Sequence, residues 1–270
     1  MRFVCPKCGE KLNIEEKSAI CKNGHSFDRA RGGYYNLLLG NTGGIHGDNK
    51  EMILARRAFL GAGYYEPLAK RIADLVLEYT PKDGAILDAG AGEGYYTDMI
   101  ESTFCQHNGR SDVSAFDISK DAVREISKKN SRISLAVAGS YHMPIAEGEF
   151  DTVINTFSPL ALEETRRVLK NGGHFIMAIP GEMHLYDLKS VIYDTPYKNQ
   201  VGDSTLDGFE LVMEDSLTYK FGLDTPEAIR SLFMMTPYAY RTRPSDKEKV
   251  LSLKSLECTA DFRIFVYKKL

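Results

Sequence analysis

No stretch of this 270-residue chain approaches the roughly 20 consecutive apolar residues that span a bilayer, which excludes a transmembrane helix. The first residues, Met1-Arg2-Phe3-Val4-Cys5-Pro6, hold no apolar signal region. Export is therefore not supported, and a cytoplasmic protein with no membrane partner is expected. An excess of one charge sign is also missing: 34 Lys and Arg stand against 37 Asp and Glu, for a formal net charge of −3. A strongly basic nucleic-acid binder would differ, although where charge clusters matters more than the sum. No GxxxxGK[ST] occurs, so a phosphate-cradling P-loop is excluded. Tryptophan is absent, which decides nothing by itself. At 43% hydrophobic and 26% charged, the composition argues against disorder, collagen and a disulfide scaffold. The length suits one core of about 200 residues with an appendage.

What is present begins with cysteine. Three of the five, Cys5, Cys8 and Cys21, fall in the first 21 residues. Cys5-Pro6-Lys7-Cys8 is a CxxC knuckle, and Cys21 is followed at a spacing of four by His25. Three thiolates and one imidazole fill a tetrahedral shell suited to Zn2+. Four protein ligands leave no open position, so the site is expected to be structural. About 45 residues have too small a core to fold alone, and metal supplies the missing free energy. Cys105 and Cys258 are expected to be buried small hydrophobes. Residues 1–47 also carry seven Lys and Arg against four acids, and 40–47 read as a glycine-rich linker. The expected organisation is a small zinc-binding module over 1–47 followed by a larger second domain over 48–270.

From residue 65 onward helical and strand patterns alternate. Strands are expected at 85–87, 113–116, 133–137, 150–155 and 174–179, and helices at 67–79, after 94, at 120–129 and at 161–169. That alternation indicates an α/β fold, doubly wound and mostly parallel, with helices on both faces. Strand-like segments at 217–223 and 262–268 suit an antiparallel edge.

The strongest chemical signal is Ile86-Leu87-Asp88-Ala89-Gly90-Ala91-Gly92-Glu93-Gly94-Tyr95-Tyr96. A strand enters a glycine turn that opens a helix, and the glycines allow close backbone approach to a ligand. The spacing is GxGxG, with Tyr95 where the dinucleotide fingerprint requires a small residue, which disfavours NAD or FAD. Asp88 suits a ligand that carries a cation. Asp117, at the end of the next strand, is placed to bond both hydroxyls of a ribose. The plainer reading of Asp88 and Asp117 is helix capping.

These residues resemble class I S-adenosylmethionine-dependent methyltransferases: Asp88, Gly90, Gly92, Glu93, Gly94 and Asp117, with the terminal antiparallel pair. Over nearly its whole length the chain resembles the bacterial 23S rRNA (guanine-N1-)-methyltransferases of the RlmA type. Further matches are Ala55-Arg56-Arg57-Ala58-Phe59-Leu60, Gly63-Tyr64-Tyr65-Glu66-Pro67-Leu68 and Met235-Thr236-Pro237. The resemblance implies a seven-stranded sheet, S-adenosylmethionine as cofactor, zinc at Cys5, Cys8, Cys21 and His25, and 23S rRNA as partner. It places the cofactor against Tyr65, Gly92, Glu93 and His184, and it suggests a homodimer. One branch of the family contributes to macrolide resistance. Where the Gram-negative branch carries a longer basic stretch and Tyr-Ala-Pro, this chain has Gly40–Asn49 with few charges and Phe157-Ser158-Pro159.

Transfer to guanine N1 requires alignment of nucleophile and methyl group at about 3 Å, worth roughly 7–11 kcal/mol, and removal of the N1 proton. No residue is assigned as the general base; Asn155 is a candidate to orient the base edge, and His184 reads as a positioning residue. Glu93 is a candidate contact for the amino-acid end or the ribose of the cofactor. Tyr34, Tyr35 and Phe157 are candidates to receive an unstacked base. Lys7, Lys11, Lys22, Arg29 and Arg31 are candidates to meet RNA phosphates. Two other functions fit the same residues: a small-molecule methyltransferase with a structural zinc module, and a non-catalytic zinc RNA-binding protein.

Overall fold

The computed structural model describes residues 1–40 and 47–270, so the expected linker lies largely outside the described residues. The N-terminal part holds β1 (Leu12–Ile14), β2 (Ser18–Cys21) and β3 (Ser26–Asp28), an antiparallel three-stranded sheet, followed by β4 (Tyr35–Asn36). Then come α1 (Lys50–Gly61), α2 (Glu66–Tyr79), β5 (Ala85–Ala89), α3 (Tyr95–Asn108), β6 (Asp112–Asp117), α4 (Lys120–Lys129), β7 (Ser134–Val137) and β8 (Phe150–Thr156). The remainder is α5 (Leu162–Val168), β9 (Leu169–Pro180), α6 (Tyr186–Ile192), β10 (Phe209–Leu223), α7 (Pro226–Met234), α8 (Tyr238–Arg241), α9 (Pro244–Leu251) and β11 (Leu256–Lys269).

Local chemistry accounts for the helix limits. The Asn49 side chain caps α1 by accepting from Met52 N, and Ser119 caps α4 by accepting from Ala122 N. Lys128 and Lys129 close α4 where the helix dipole favours cations. In α2 the buried Leu68, Ile72, Leu75 and Val76 form one stripe at helical spacing.

The main sheet has the order β10-β11-β9-β8-β5-β6-β7-β4. Pairing is parallel from β4 through β9, and β11 lies antiparallel between β9 and β10. The expected seven strands and antiparallel edge are all present; an eighth strand, β4, comes from the N-terminal region and pairs with β7. β5 is buried along its whole length, as a central parallel strand must be. Its neighbours β6 and β8 are reached in opposite directions, which makes its C-terminal end the switch point where doubly wound sheets bind ligands.

Helices lie on both faces of the sheet as expected, but the two faces are covered differently. Ile86, Val113, Leu135 and Ile154 face a core shared with α2, α3 and α4. On the other face Leu87, Phe116, Val153 and Phe175 pack with Phe3, Cys5, Leu12, Ala19, Cys21, Tyr35 and Leu37 of the N-terminal region, and with Val168 of α5. Between β7 and β8 there is only a short 3₁₀ turn, Ser140–His142. The N-terminal region therefore occupies the place a helix would otherwise fill. Backbone contacts tie it down as well: Phe3 bridges Ile145, and Val4 N donates to Pro144 O at 2.8 Å. Arg2 pairs with Asp112 and Glu149.

Phe3 is fully buried at this junction. Phe3→Ala should cost about 3–5 kcal/mol, measured as a shift in the urea unfolding midpoint of the whole chain. A loss confined to a minor early transition would show that the N-terminal region does not share the main core.

Candidate active site and metal centre

The metal centre is built by two turns. Cys8 N and Gly9 N both bond Cys5 O, while Cys21 N bonds His25 O and Gly24 N bonds Cys21 O. These knuckles bring one ligand atom each from Cys5, Cys8, Cys21 and His25 to within 4.8 Å of one another. Cys5 Sγ and Cys21 Sγ lie 3.4 and 3.5 Å from His25 Nδ1, and Cys8 Sγ lies 3.7 Å from Cys21 Sγ. Zinc–sulfur bonds of about 2.3 Å at tetrahedral angles put ligand atoms about 3.8 Å apart, so the donors match a zinc ion in type and spacing, with Nδ1 as the histidine ligand. The Glu10 backbone N–H, then the Asn23 side chain, pull the Cys8 thiol down to about 6. Cys258 is buried as expected, but Cys105 on α3 is only half-buried.

At the switch point the glycine turn has the form a close ligand approach needs. Gly90 has φ +87°, and a Cβ there would fall 2.1 Å from Ser158 Oγ, so only glycine lets the turn after β8 pack on the turn after β5. Gly92 also lies in the left-handed region, at φ +55°. Gly94 is the N-cap of α3. Asp117 is half-buried and holds the turn in shape: Gly92 N donates to its Oδ2 at 2.9 Å, and Ser119 N to its Oδ1 at 2.8 Å. Each oxygen keeps a second lone pair for a ligand hydroxyl. Burial raises its pKa, the two backbone donors opposing this. Ser119, not Asp117, is the helix cap.

Asp88 lies deeper, 2% exposed, and accepts from Thr97 Oγ1 at 2.6 Å. Burial pushes its pKa up to about 6. Glu93 is buried and paired with Lys129 Nζ at 2.7 Å, so its carboxylate ties the glycine turn to α4. That use competes with the expected contact to the cofactor.

Tyr65 and His184 do meet. His184 Nε2 lies 3.2 Å from the Tyr65 hydroxyl, and Asp261 N donates to His184 Nδ1 at 3.3 Å. A backbone N–H can only donate, so the neutral ring carries its proton on Nε2 and gives it to Tyr65. Burial lowers the His184 pKa to about 4. The turn that presents His184 is held from several directions. Asp261 accepts from Met183 N and Thr218 Oγ1, and Asn199 Nδ2 donates to the carbonyls of Gly181 and His184. The buried Lys189 of α6 in turn donates to Asn199 Oδ1 at 2.5 Å.

Two non-glycine residues adopt positive φ among the described residues, Phe157 (57°) and Leu185 (54°), and both border this site. Such backbone costs about 1–3 kcal/mol and persists only where its surroundings enforce it. Phe157 follows β8 with its ring 39% exposed, stacked on His184 at 6.3 Å and 21°, with Phe262 and Tyr96 on its other sides. Tyr34 and Tyr35, at 4% and 3% exposed, are core residues on opposite sheet faces. They cannot receive a base, and Phe157 is the member of the expected trio left for that role. Asn155 is also committed, its amide donating to Pro159 O at 3.3 Å. Asn199, Lys189 and Asp261 were missed from the sequence, because their role depends on contacts across as many as 78 positions.

The residues at the switch point fit S-adenosylmethionine: a glycine cradle, an oriented carboxylate with free lone pairs, and a neutral imidazole that adds no positive charge beside a sulfonium. The Tyr96 hydroxyl is buried there without a partner.

The chain matches two family models, one described as RlmA, N-terminal, over residues 3–40, and one described as methyltransferase domain, over 86–173. It is 32% identical to YxjB of Bacillus subtilis (strain 168), a candidate 23S rRNA (guanine-N(1)-)-methyltransferase, over 99% of this chain and 97% of that one. It is 29% identical to the 23S rRNA (guanine(748)-N(1))-methyltransferase of Streptomyces fradiae, over 90% and 87%. Among solved structures, a candidate methyltransferase of Bacillus halodurans C-125 superposes with a TM-score of 0.48 at 12% identity, over 74% of this chain and 98% of that one.

Two outcomes are expected. Chelation of zinc should lower the melting temperature of the whole chain in one calorimetric transition, since Cys5 and Cys21 belong to the core under the sheet; an unchanged main transition would refute this. For Asp88 the folded pKa, about 6, lies above the unfolded value near 3.8, so the folded state binds more protons between them and stability falls as pH rises through that window. Asp88→Asn should remove that fall, on the order of 2 kcal/mol, in urea unfolding compared at pH 4.5 and pH 6.5.

Proposed function

This chain belongs to the RlmA-type family of bacterial 23S rRNA (guanine-N1-)-methyltransferases, and from that membership we propose that it transfers a methyl group to N1 of a guanine in 23S rRNA. The observation that carries the reading is a relative of that description, 32% identical and matched over 99% of the chain. When bound, S-adenosylmethionine supplies a methyl group made electrophilic by its sulfonium. The side chains of this chain do the rest by placement. Asp117 takes the ribose hydroxyls with the lone pairs left by Gly92 and Ser119. Tyr65 and His184 wall the reaction chamber. With Nδ1 occupied by Asp261 N and Nε2 carrying its proton toward Tyr65, His184 has no free lone pair and acts as a positioning residue. Phe157 offers its exposed ring as the surface on which an unstacked guanine lies, with N1 turned inward.

The N-terminal region supplies the RNA contact. Lys17, Arg29 and Arg31 line an open groove of about 610 Å³, with Glu16 and Asp28 among the other walls. Lys7 and Lys11 are exposed, and Lys22 is exposed but paired with Glu10 at 2.8 Å. The homodimer and the division at residue 47 remain part of this reading; the second is supported by the change from a zinc ribbon to the alternating fold. No helix is long and apolar enough to cross a membrane among the described residues.

The test is incubation with methyl-labelled S-adenosylmethionine and 23S rRNA, followed by mass mapping. One N1-methylguanosine is expected; labelling of a metabolite and none of rRNA would favour the small-molecule alternative. Reversing Lys17, Arg29 and Arg31 to Glu should weaken rRNA binding and lower its log–log salt slope by about 2, while cofactor affinity holds. An equal fall in cofactor affinity would refute the division of labour.

A further inference from the structure

The arginine of α1 that faces the glycine turn has no part in the reading so far. Arg56 Nη1 lies 3.6 Å from the place a Cβ would take on Gly92, and Nη2 lies 3.5 Å from Met235 O. Its partner is a carboxylate, Asp48, in a short ion pair whose side chains are both partly open to solvent. Asp48 is not there by chance of a loose chain. Its carbonyl accepts from Ser119 Oγ at 2.9 Å, and Gly47 packs so closely on Ile118 and Ser119 that a Cβ would fall 2.8–2.9 Å from them. The segment thus lies against the end of β6, beside Asp117, and the fields of Asp48 and Arg56 both act on the Asp117 carboxyl, Asp48 raising and Arg56 lowering its pKa. The other cation at this turn, Lys129, is already held by the buried Glu93.

We propose that Arg56 binds the α-carboxylate of the cofactor's amino-acid end, and that Asp48 is the internal carboxylate it gives up on binding. The inference rests on the S-adenosylmethionine reading of the site. A guanidinium fork is matched to a carboxylate and holds it with two parallel hydrogen bonds. Placed over Gly92, it fixes the amino-acid end on the open side of the turn while Asp117 fixes the ribose. The half-exposed Asp48 is a partner that can be exchanged, because it returns to water with little desolvation cost. Cofactor occupancy is thereby linked to the segment that enters α1 from the zinc-bearing region.

The experiment is calorimetric titration with S-adenosylhomocysteine and with 5′-methylthioadenosine, which keeps the nucleoside and thioether but lacks the amino acid. Arg56→Met should weaken S-adenosylhomocysteine about tenfold or more and leave methylthioadenosine within about twofold. Equal weakening of both ligands, or no weakening, overturns the proposal. If Arg56→Met does not fold, Asp48→Asn decides: tighter S-adenosylhomocysteine with unchanged methylthioadenosine supports the exchange, and an unchanged or lower affinity overturns it. A wild-type chain that binds neither ligand removes the cofactor reading and this inference with it; selective failure in the variants removes the inference alone.

Discussion

A parallel sheet cannot leave either face in water, and this constraint shapes the whole molecule. Helices α2, α3 and α4 cover one face. The other is covered largely by the zinc-bearing N-terminal region, whose Phe3, Leu12, Ala19, Tyr35 and Leu37 meet Leu87, Phe116, Val153 and Phe175. Cys5 and Cys21 serve both purposes at once, as metal ligands and as part of that apolar layer. A region too small to fold alone thus gains free energy from two sources, its metal and the sheet it covers. The zinc-bearing region and the methyltransferase domain are joined by a core rather than by a tether alone.

The site sits where two turns are forced together. The turn after β5 accepts Ser158 against Gly90, and the turn after β8 pays for this closeness with a left-handed Phe157. The third wall, 181–185, has a left-handed residue of its own and is held by Asp261, Asn199 and Lys189. A buried lysine and a buried aspartate are costly groups. Here the lysine fixes the chain near His184, and Asp88 braces the start of α3 through Thr97. Hydrogen bonds from distant parts of the chain thus hold the chamber walls, which suits a reaction driven by alignment of two partners.

Much of the fold could be read from local signals. The helix over 120–129 was legible to the residue, because its cap, its apolar stripe and its closing lysines all lie within eleven positions. The end of β6 at Asp117 and the left-handed turn glycines were legible for the same reason, whereas β5 runs two residues beyond the expected 85–87. The helix at 186–192 and strands β1 to β4 were not, being too short for a periodic signal. Tyr34 and Tyr35 misled in the opposite way: nothing nearby distinguishes an aromatic under a sheet from one at a mouth.

The chemistry of the donors was therefore in the chain itself: a CxxC knuckle, a cysteine and histidine four apart, and glycines at alternate positions each act through bonds a few residues long. Which face each element covers was decided only by folding. So were the burial of Glu93 against Lys129, the tautomer of His184 set by Asp261, and the meeting of Asp48, Arg56 and Gly92. Those outcomes depend on groups distant in sequence competing for the same space and the same protons, a competition that no local pattern records.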